Sequence, residues 1–310
     1  MTSDGGPTAL GDEPVPLRPA ATLMLVRDGA HPVAPLEVLM VRRNLQSDFI
    51  GGAYVFPGGG VDPADGAPLA ASWSQGLDDG RASRILDLPS GGLAYWVAVV
   101  RECFEEAGVL LACRNTEGGG VPALLSFATP RVGDRFSDHR RALNAGRHNL
   151  VDVCREEGIV LALDRVHYFS HWVTPEGAPR RYDTRFFVAA APPDQDPLHD
   201  ATETVASEWI RPSDALHRFR DGDIELIFPT IRTLQAIGRF ETAGELLAAA
   251  SAAGEVPLTV PRLVVDGRGV RIMLPGDPGY ESATTTPAQP LDYDAAVRTV
   301  SRAASEEPPK

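Results

Sequence analysis

The sequence predicts an α/β protein, and three observations carry that reading. Short apolar runs bounded by Gly and Pro fill residues 21 to 56, the pattern of strands joined by tight turns. One long helical pattern runs from Leu93 to Leu111. Strand-like runs then return at Tyr168–Val173, Arg185–Ala190 and Val205–Ile210, and further helices follow them.

In chain order, residues 1 to about 18 are rich in Gly, Pro and small polar residues and read as a flexible tail. Ala21–Arg27, Leu36–Arg43 and Gly52–Phe56 read as strands, with Asp28-Gly29 and Pro32 supplying the first turn. Pro57-Gly58-Gly59 is a tight loop that lets backbone approach a phosphate, so Gly58 and Gly59 are candidate substrate contacts. Asp62–Ser90 is polar and small, with one or two short helical turns expected within Ala70–Leu88. Two roles fit it equally, a lid over substrate or a surface embellishment.

The helix from Leu93 sets an apolar stripe of Trp96, Val97, Val100, Phe104 and Val109 opposite Glu102, Glu105 and Glu106. Three carboxylates on adjoining turns repel one another, yet hard oxygen donors so gathered suit Mg²⁺ or Mn²⁺. Arg101 reads as a structural partner that fixes the rotamer of one of these glutamates. Gly108 ends the helix where a left-handed residue is needed. Phe136–Glu157 reads as one or two amphipathic helices whose Arg140, Arg141 and Arg147 form a basic face, which reads as solvated ahead of the alternative that it receives phosphates beside the acidic site. His139 and His148 lack a partner at metal-ligand spacing. Arg180 and Arg181 lie on an expected hairpin, where guanidinium groups can grip phosphate with two hydrogen bonds. Helices are expected at Pro212–Arg220, Pro229–Phe240 and Ala243–Ala253, and a hairpin around Asp266-Gly267. Beyond Tyr280 the composition predicts disorder with at most a short helix near Ala295.

Composition narrows the function. A formal net charge of −13 excludes a general nucleic-acid binder, which needs a basic face, but leaves room for a local basic pocket. No run of about 18 apolar residues suggests a membrane span. The three cysteines have no metal-site spacing and read as reduced and buried, and a cytoplasmic location is expected.

Arg101-Glu102-x-x-Glu105-Glu106-x-Gly108, followed by Val109, resembles the second half of the Nudix box, and Gly59 looks like the glycine that opens it. That resemblance implies a Nudix α/β/α sandwich with a mixed sheet, residues 19–240 forming the hydrolase domain and 241–280 a C-terminal extension. Residues 281–310 would be a disordered tail. The extension would complete the substrate pocket or make a homodimer contact. Two departures stand out. Gly59 and Arg101 are 42 positions apart where the family has fourteen, so about 28 residues are inserted in the box (roughly 62–92). Leu93 stands where the family has an outer glutamate.

Both departures resemble the nucleoside diphosphate-linked moiety X motif 19 branch, which acts on coenzyme A and acyl-CoA. So do Trp172–Pro175, Arg180–Thr184 and Leu274–Asp277. The resemblance implies that Glu102, Glu105 and Glu106 bind Mg²⁺ or Mn²⁺, with Glu105 and Glu106 in the catalytic machinery. A glutamate from outside the box would complete the metal shell or accept a proton from water, and Glu203 aligns with it, with Glu208 as runner-up. The expected reaction splits the diphosphate of CoA or acyl-CoA into 3′,5′-ADP and (acyl-)4′-phosphopantetheine. Alternatives are a pyrophosphatase for ADP-ribose or NADH, and a non-catalytic Nudix-fold ligand sensor.

Overall fold

In the computed structural model the described residues are 15–33, 35–46, 51–66, 68–115, 122–176, 178–199, 204–266, 269–283 and 293–306. The chain begins with strands β1 (Leu17–Asp28), β2 (Leu36–Arg43), β3 (Tyr54–Val55) and β4 (Gly58–Gly60). β1 starts at Leu17, so the expected tail boundary at about 18 moves back into the sheet, where Leu17 and Arg18 pair with Arg181 and Tyr182. The insertion carries a 3₁₀ turn at Pro63–Gly66 and helices α1 (Pro68–Ser72) and α2 (Asp79–Ile85). The long helix α3 (Leu93–Ala107) follows, then β5 (Ala112–Arg114), α4 (Pro130–Asn144), α5 (Leu150–Glu157) and β6 (Ile159–Leu161). Next come β7 (Val166–Val173), β8 (Arg181–Ala190), β9 (Thr204–Ile210), α6 (Pro212–Asp221), α7 (Phe228–Ile237) and α8 (Ala243–Ala252). The chain closes with β10 (Leu258–Thr259), β11 (Arg262–Asp266), β12 (Gly269–Met273) and α9 (Tyr293–Glu306).

The main sheet runs β10-β7-β8-β1-β2-β3, with β4 also pairing β1 and β9 pairing β2. It is mixed. β1 and β8 are parallel from Leu17↔Arg181 to Val26↔Ala190, whereas β1–β2, β1–β4, β2–β9 and β7–β8 are antiparallel. Alternation along the strands divides the core in two. Ala21, Leu23, Leu25, Leu39, Val41 and Phe187 face α3, whose Trp96, Val97, Val100 and Phe104 pack on them. Met24, Val26, Val38, Met40, Phe186 and Val188 face α6, α7 and α8 through Phe219, Ile231, Leu234 and Leu246. Apolar residues on both faces require helices on both faces, which is the α/β/α sandwich.

Two elements differ from expectation. The first helix after the box begins at Pro130 rather than Phe136, because Pro at its first turn starts the helix early. The C-terminal stretch, expected to hold at most a short helix near Ala295, carries α9 over Tyr293–Glu306. There Val297, Val300 and Ala304 recur at helical spacing, are buried, and meet α7. No described helix is long and apolar enough to cross a membrane.

Candidate active site

The site is assembled where the second half of α3 crosses β4. Gly58–Gly60 lies against β1, with Gly58 opposite Thr22 and Gly59 opposite Ala21. A β-carbon on Gly58 would come within 2.5 Å of the Ala21 carbonyl oxygen, and one on Gly59 within 2.4 Å of Glu102 Oε1. At Gly58 only glycine permits the approach to β1, and at Gly59 its absence of a side chain leaves the space that the Glu102 carboxylate fills. The Gly58 N–H donates to Glu106 Oε2 at 3.0 Å.

Arg101 is the hub. Its Nε and Nη2 donate to the two carboxylate oxygens of Asp65, both at 2.9 Å. Nη1 donates to Glu102 Oε1 at 2.9 Å and to Glu105 Oε2 at 2.8 Å, and Nη2 also to the Gly60 carbonyl at 2.8 Å. All five donors of the fork are thus used. Burial works against the charged guanidinium, but Asp65, Glu102 and Glu105 more than offset it and raise its pKa. Burial pushes the Glu102 carboxyl up to about 7; Arg101 opposes that shift and the neighbouring Glu105 adds to it.

Three supports were not foreseen from sequence. Asp65, 3% exposed at the start of the insertion, is the bidentate partner of Arg101. Further along the insertion, Asp79 accepts from the Gly91 and Leu93 N–H groups at 3.1 and 3.0 Å, and Ser83 Oγ from the Gly92 N–H at 2.9 Å. These contacts cap α3, whose own N-cap Gly92 has no side chain to do so. Arg140 corrects the expectation of a solvated basic face. It is 8% exposed and donates to the Glu105 carbonyl at 2.9 Å and the Leu198 carbonyl at 2.7 Å, clamping the C-terminal turn of α3. That turn ends at Gly108, whose φ of 71° is left-handed as expected for a helix stop.

The remaining candidates are spread more widely. Glu203 lies outside the described residues. Its neighbour Thr204 is buried and donates from its hydroxyl to the Glu106 carbonyl at 3.1 Å. Glu208 pairs across with Met40, on the sheet face turned away from α3, and both its oxygens accept from Arg218 Nη1 at 2.8 and 2.9 Å. Arg181 opens β8 on the α3 side of the sheet and donates from Nε to the Thr174 carbonyl. It stands three residues, about 10 Å, along the sheet from the level of Gly60. Arg180 is exposed on the preceding turn. His139 and His148, without partners in sequence, meet Glu156 in space. Their ligand atoms lie within 4.8 Å of one another, and Glu157 holds His139 Nε2 at 2.8 Å.

The donor set of the box fits a hard divalent cation. Glu102, Glu105 and Glu106 supply only oxygens, two of them share a single arginine with Asp65, and burial destabilises the Glu102 carboxylate. As they stand, Arg101 holds Glu102 and Glu105 while Gly58 holds Glu106.

A family model described as the NUDT19 Nudix domain matches residues 78–237. The chain is 28% identical over 269 residues to the acyl-coenzyme A diphosphatase NUDT19 of Gallus gallus, covering 74% of this chain and 70% of that protein. It is 27% identical over 278 residues to the Homo sapiens protein of the same name, covering 80% and 73%. Among solved structures, a NUDIX hydrolase from Alicyclobacillus acidocaldarius is 30% identical with a TM-score of 0.58, covering 77% of this chain and 99% of that one.

Proposed function

The chain belongs to the NUDT19 Nudix domain family, and from that premise we propose that it is a Nudix hydrolase that cleaves the diphosphate of CoA or acyl-CoA. The products would be 3′,5′-ADP and (acyl-)4′-phosphopantetheine. Two of its relatives carry the name acyl-coenzyme A diphosphatase. The observation that carries the catalytic part is the Arg101 hub, which gathers Asp65, Glu102 and Glu105 beside the Gly58–Gly60 backbone.

In this reading Glu102, Glu105 and Glu106 hold Mg²⁺ or Mn²⁺. A bound divalent ion would neutralise charge on the diphosphate oxygens and lower the pKa of a water. Arg101 fixes Glu102 and Glu105, while Glu102 and Glu106 border Gly59 and Gly58, the backbone along which the diphosphate would lie. Glu203, the residue before Thr204, whose hydroxyl donates to the Glu106 carbonyl, is assigned as the acceptor of the water's proton. Glu208 is set aside, because it faces the other side of the sheet and is paired with Arg218. Arg180 and Arg181 are assigned as further phosphate contacts at the start of β8.

The test is mass-spectrometric product analysis after incubation with Mg²⁺ or Mn²⁺ and CoA, acetyl-CoA, ADP-ribose or NADH. 3′,5′-ADP from the CoA compounds alone is the expected result. AMP from ADP-ribose or NADH with no CoA cleavage would overturn the substrate, and no cleavage at all would overturn the enzyme.

A further inference from the structure

A cavity of about 710 Å³ opens beside the insertion, within the size range of small-molecule sites. Its cationic wall comes from α2 and β8, as Arg81, Arg84 and Arg185. Neither Arg81 nor Arg84 is paired with a carboxylate among the described residues; Arg81 reaches only the Gly76 carbonyl, at 3.4 Å. Arg185 is 3% exposed, and its Nε has no hydrogen-bond partner. Its other nitrogens are fixed, Nη1 on Asp183 at 3.0 Å and Nη2 on the Leu86 carbonyl at 3.3 Å, which ties the end of α2 to the sheet. Asp87, Asp164 and Glu255 also line the cavity, so the basic character is local to the α2–β8 side. At the turn after α2, Asp87 is held at a φ of 54°, a backbone strain of the kind that collects at binding sites. Ile85 and Leu258, 42% and 50% exposed, add apolar surface to the lining.

The cavity lies at a definite distance from the box. Arg185 stacks over the Tyr95 ring at 4.7 Å. Tyr95 precedes Glu102 by seven residues, so the two share a face of α3 and stand about 10 Å apart along its axis. The sheet gives the same separation: Ala21 pairs with Arg185 on one side and Gly59 on the other, two strand spacings or about 10 Å. Two guanidinium groups without a carboxylate partner, beside a third that is desolvated and shared with Asp183, are what a phosphomonoester dianion recruits. Tyr168, with Ile85 and Leu258, gives the cavity aromatic and apolar lining that suits a flat base.

We propose that the insertion builds the pocket for the phosphate-bearing nucleoside end of the substrate, with Arg81, Arg84 and Arg185 receiving a phosphomonoester while the diphosphate lies at the box. This rests on the CoA reading above, and it assigns the 3′-phosphate to the insertion rather than to Arg180 and Arg181.

The experiment compares kcat/KM for CoA and for dephospho-CoA, which lacks only the 3′-phosphate. It uses the wild-type protein, Arg81→Ala/Arg84→Ala and Arg180→Ala/Arg181→Ala. The wild type should prefer CoA, and the Arg81/Arg84 variant should lose at least about ten-fold of that preference, the scale of charge-assisted hydrogen bonds. The ratio within one variant corrects for any general loss of folding. Cleavage of both compounds with the preference intact in the Arg81/Arg84 variant, or lost instead in the Arg180/Arg181 variant, overturns the pocket and leaves the CoA reading standing. A wild type without preference does the same. A wild type that cleaves neither compound overturns both.

Discussion

Replacing Arg101 by Lys tests the hub more sharply than removing it. Arginine makes five charged hydrogen bonds there, two of them a fork onto Asp65. Lysine keeps the charge but offers three donors at most and no fork, so at least two bonds go. Each is worth about 1.5–3 kcal/mol, and with Asp65 3% exposed and Glu102 12% little solvent softens the loss. The expected cost is about 3–5 kcal/mol. Urea denaturation of the metal-free protein measures it, and with m near ~3–4 kcal/mol/M the midpoint falls by about 1 M. In the Lys background Asp65→Asn should cost less than in the wild type, because the fork it completes is already gone. A Lys variant within about 0.5 kcal/mol of wild type, or additive effects of the two substitutions, would refute the hub.

Four further outcomes follow from the same geometry. The Glu102 carboxyl lies at about 7 when folded against 4.5 normally, so its ionisation penalises the fold. The penalty is absent below about pH 4.5, grows through pH 7 and reaches about 3 kcal/mol above it; Glu102→Gln should therefore stabilise the metal-free protein at pH 8 but not at pH 4. Asp79→Ala removes the cap from α3 and should cost about 1–2 kcal/mol in a urea titration. Glu208→Gln should keep kcat within about two-fold while Glu203→Gln loses about 10²-fold or more in steady-state assays. Cys103, Cys113 and Cys154 are buried, with burial pushing the Cys103 and Cys154 thiols up to about 12, so a thiol reagent should label them only after denaturation.

Much of the fold was legible because its signals are local. The strand runs and the amphipathic α3 declare themselves by period, and Arg101-Glu102-x-x-Glu105-Glu106-x-Gly108 is contiguous on one helix. What stayed hidden depends on distance in space. Asp65 looks like any acid in a polar insertion until the 3₁₀ turn delivers it to Arg101. Arg140 reads as solvated because a basic helix usually is, and only the packing of α4 on α3 buries it. His139, His148 and Glu156 come from a helix, a loop and a second helix, with no fixed spacing to announce them. The face on which Glu208 points depends on its register with Met40, which a single strand cannot state. The length of the insertion itself is thermodynamically mild: tripling the connection from fourteen to 42 positions adds only about 1 kcal/mol of closure entropy.

The capping of α3 by Asp79 and Ser83 makes the amides of Gly91, Gly92 and Leu93 natural reporters. Their hydrogens can exchange with deuterium only when α2 lifts away, so their exchange rates measure the local opening of the insertion separately from global unfolding. A molecule that settles against α2 must slow those three amides, even if it leaves the glutamate end of the helix untouched.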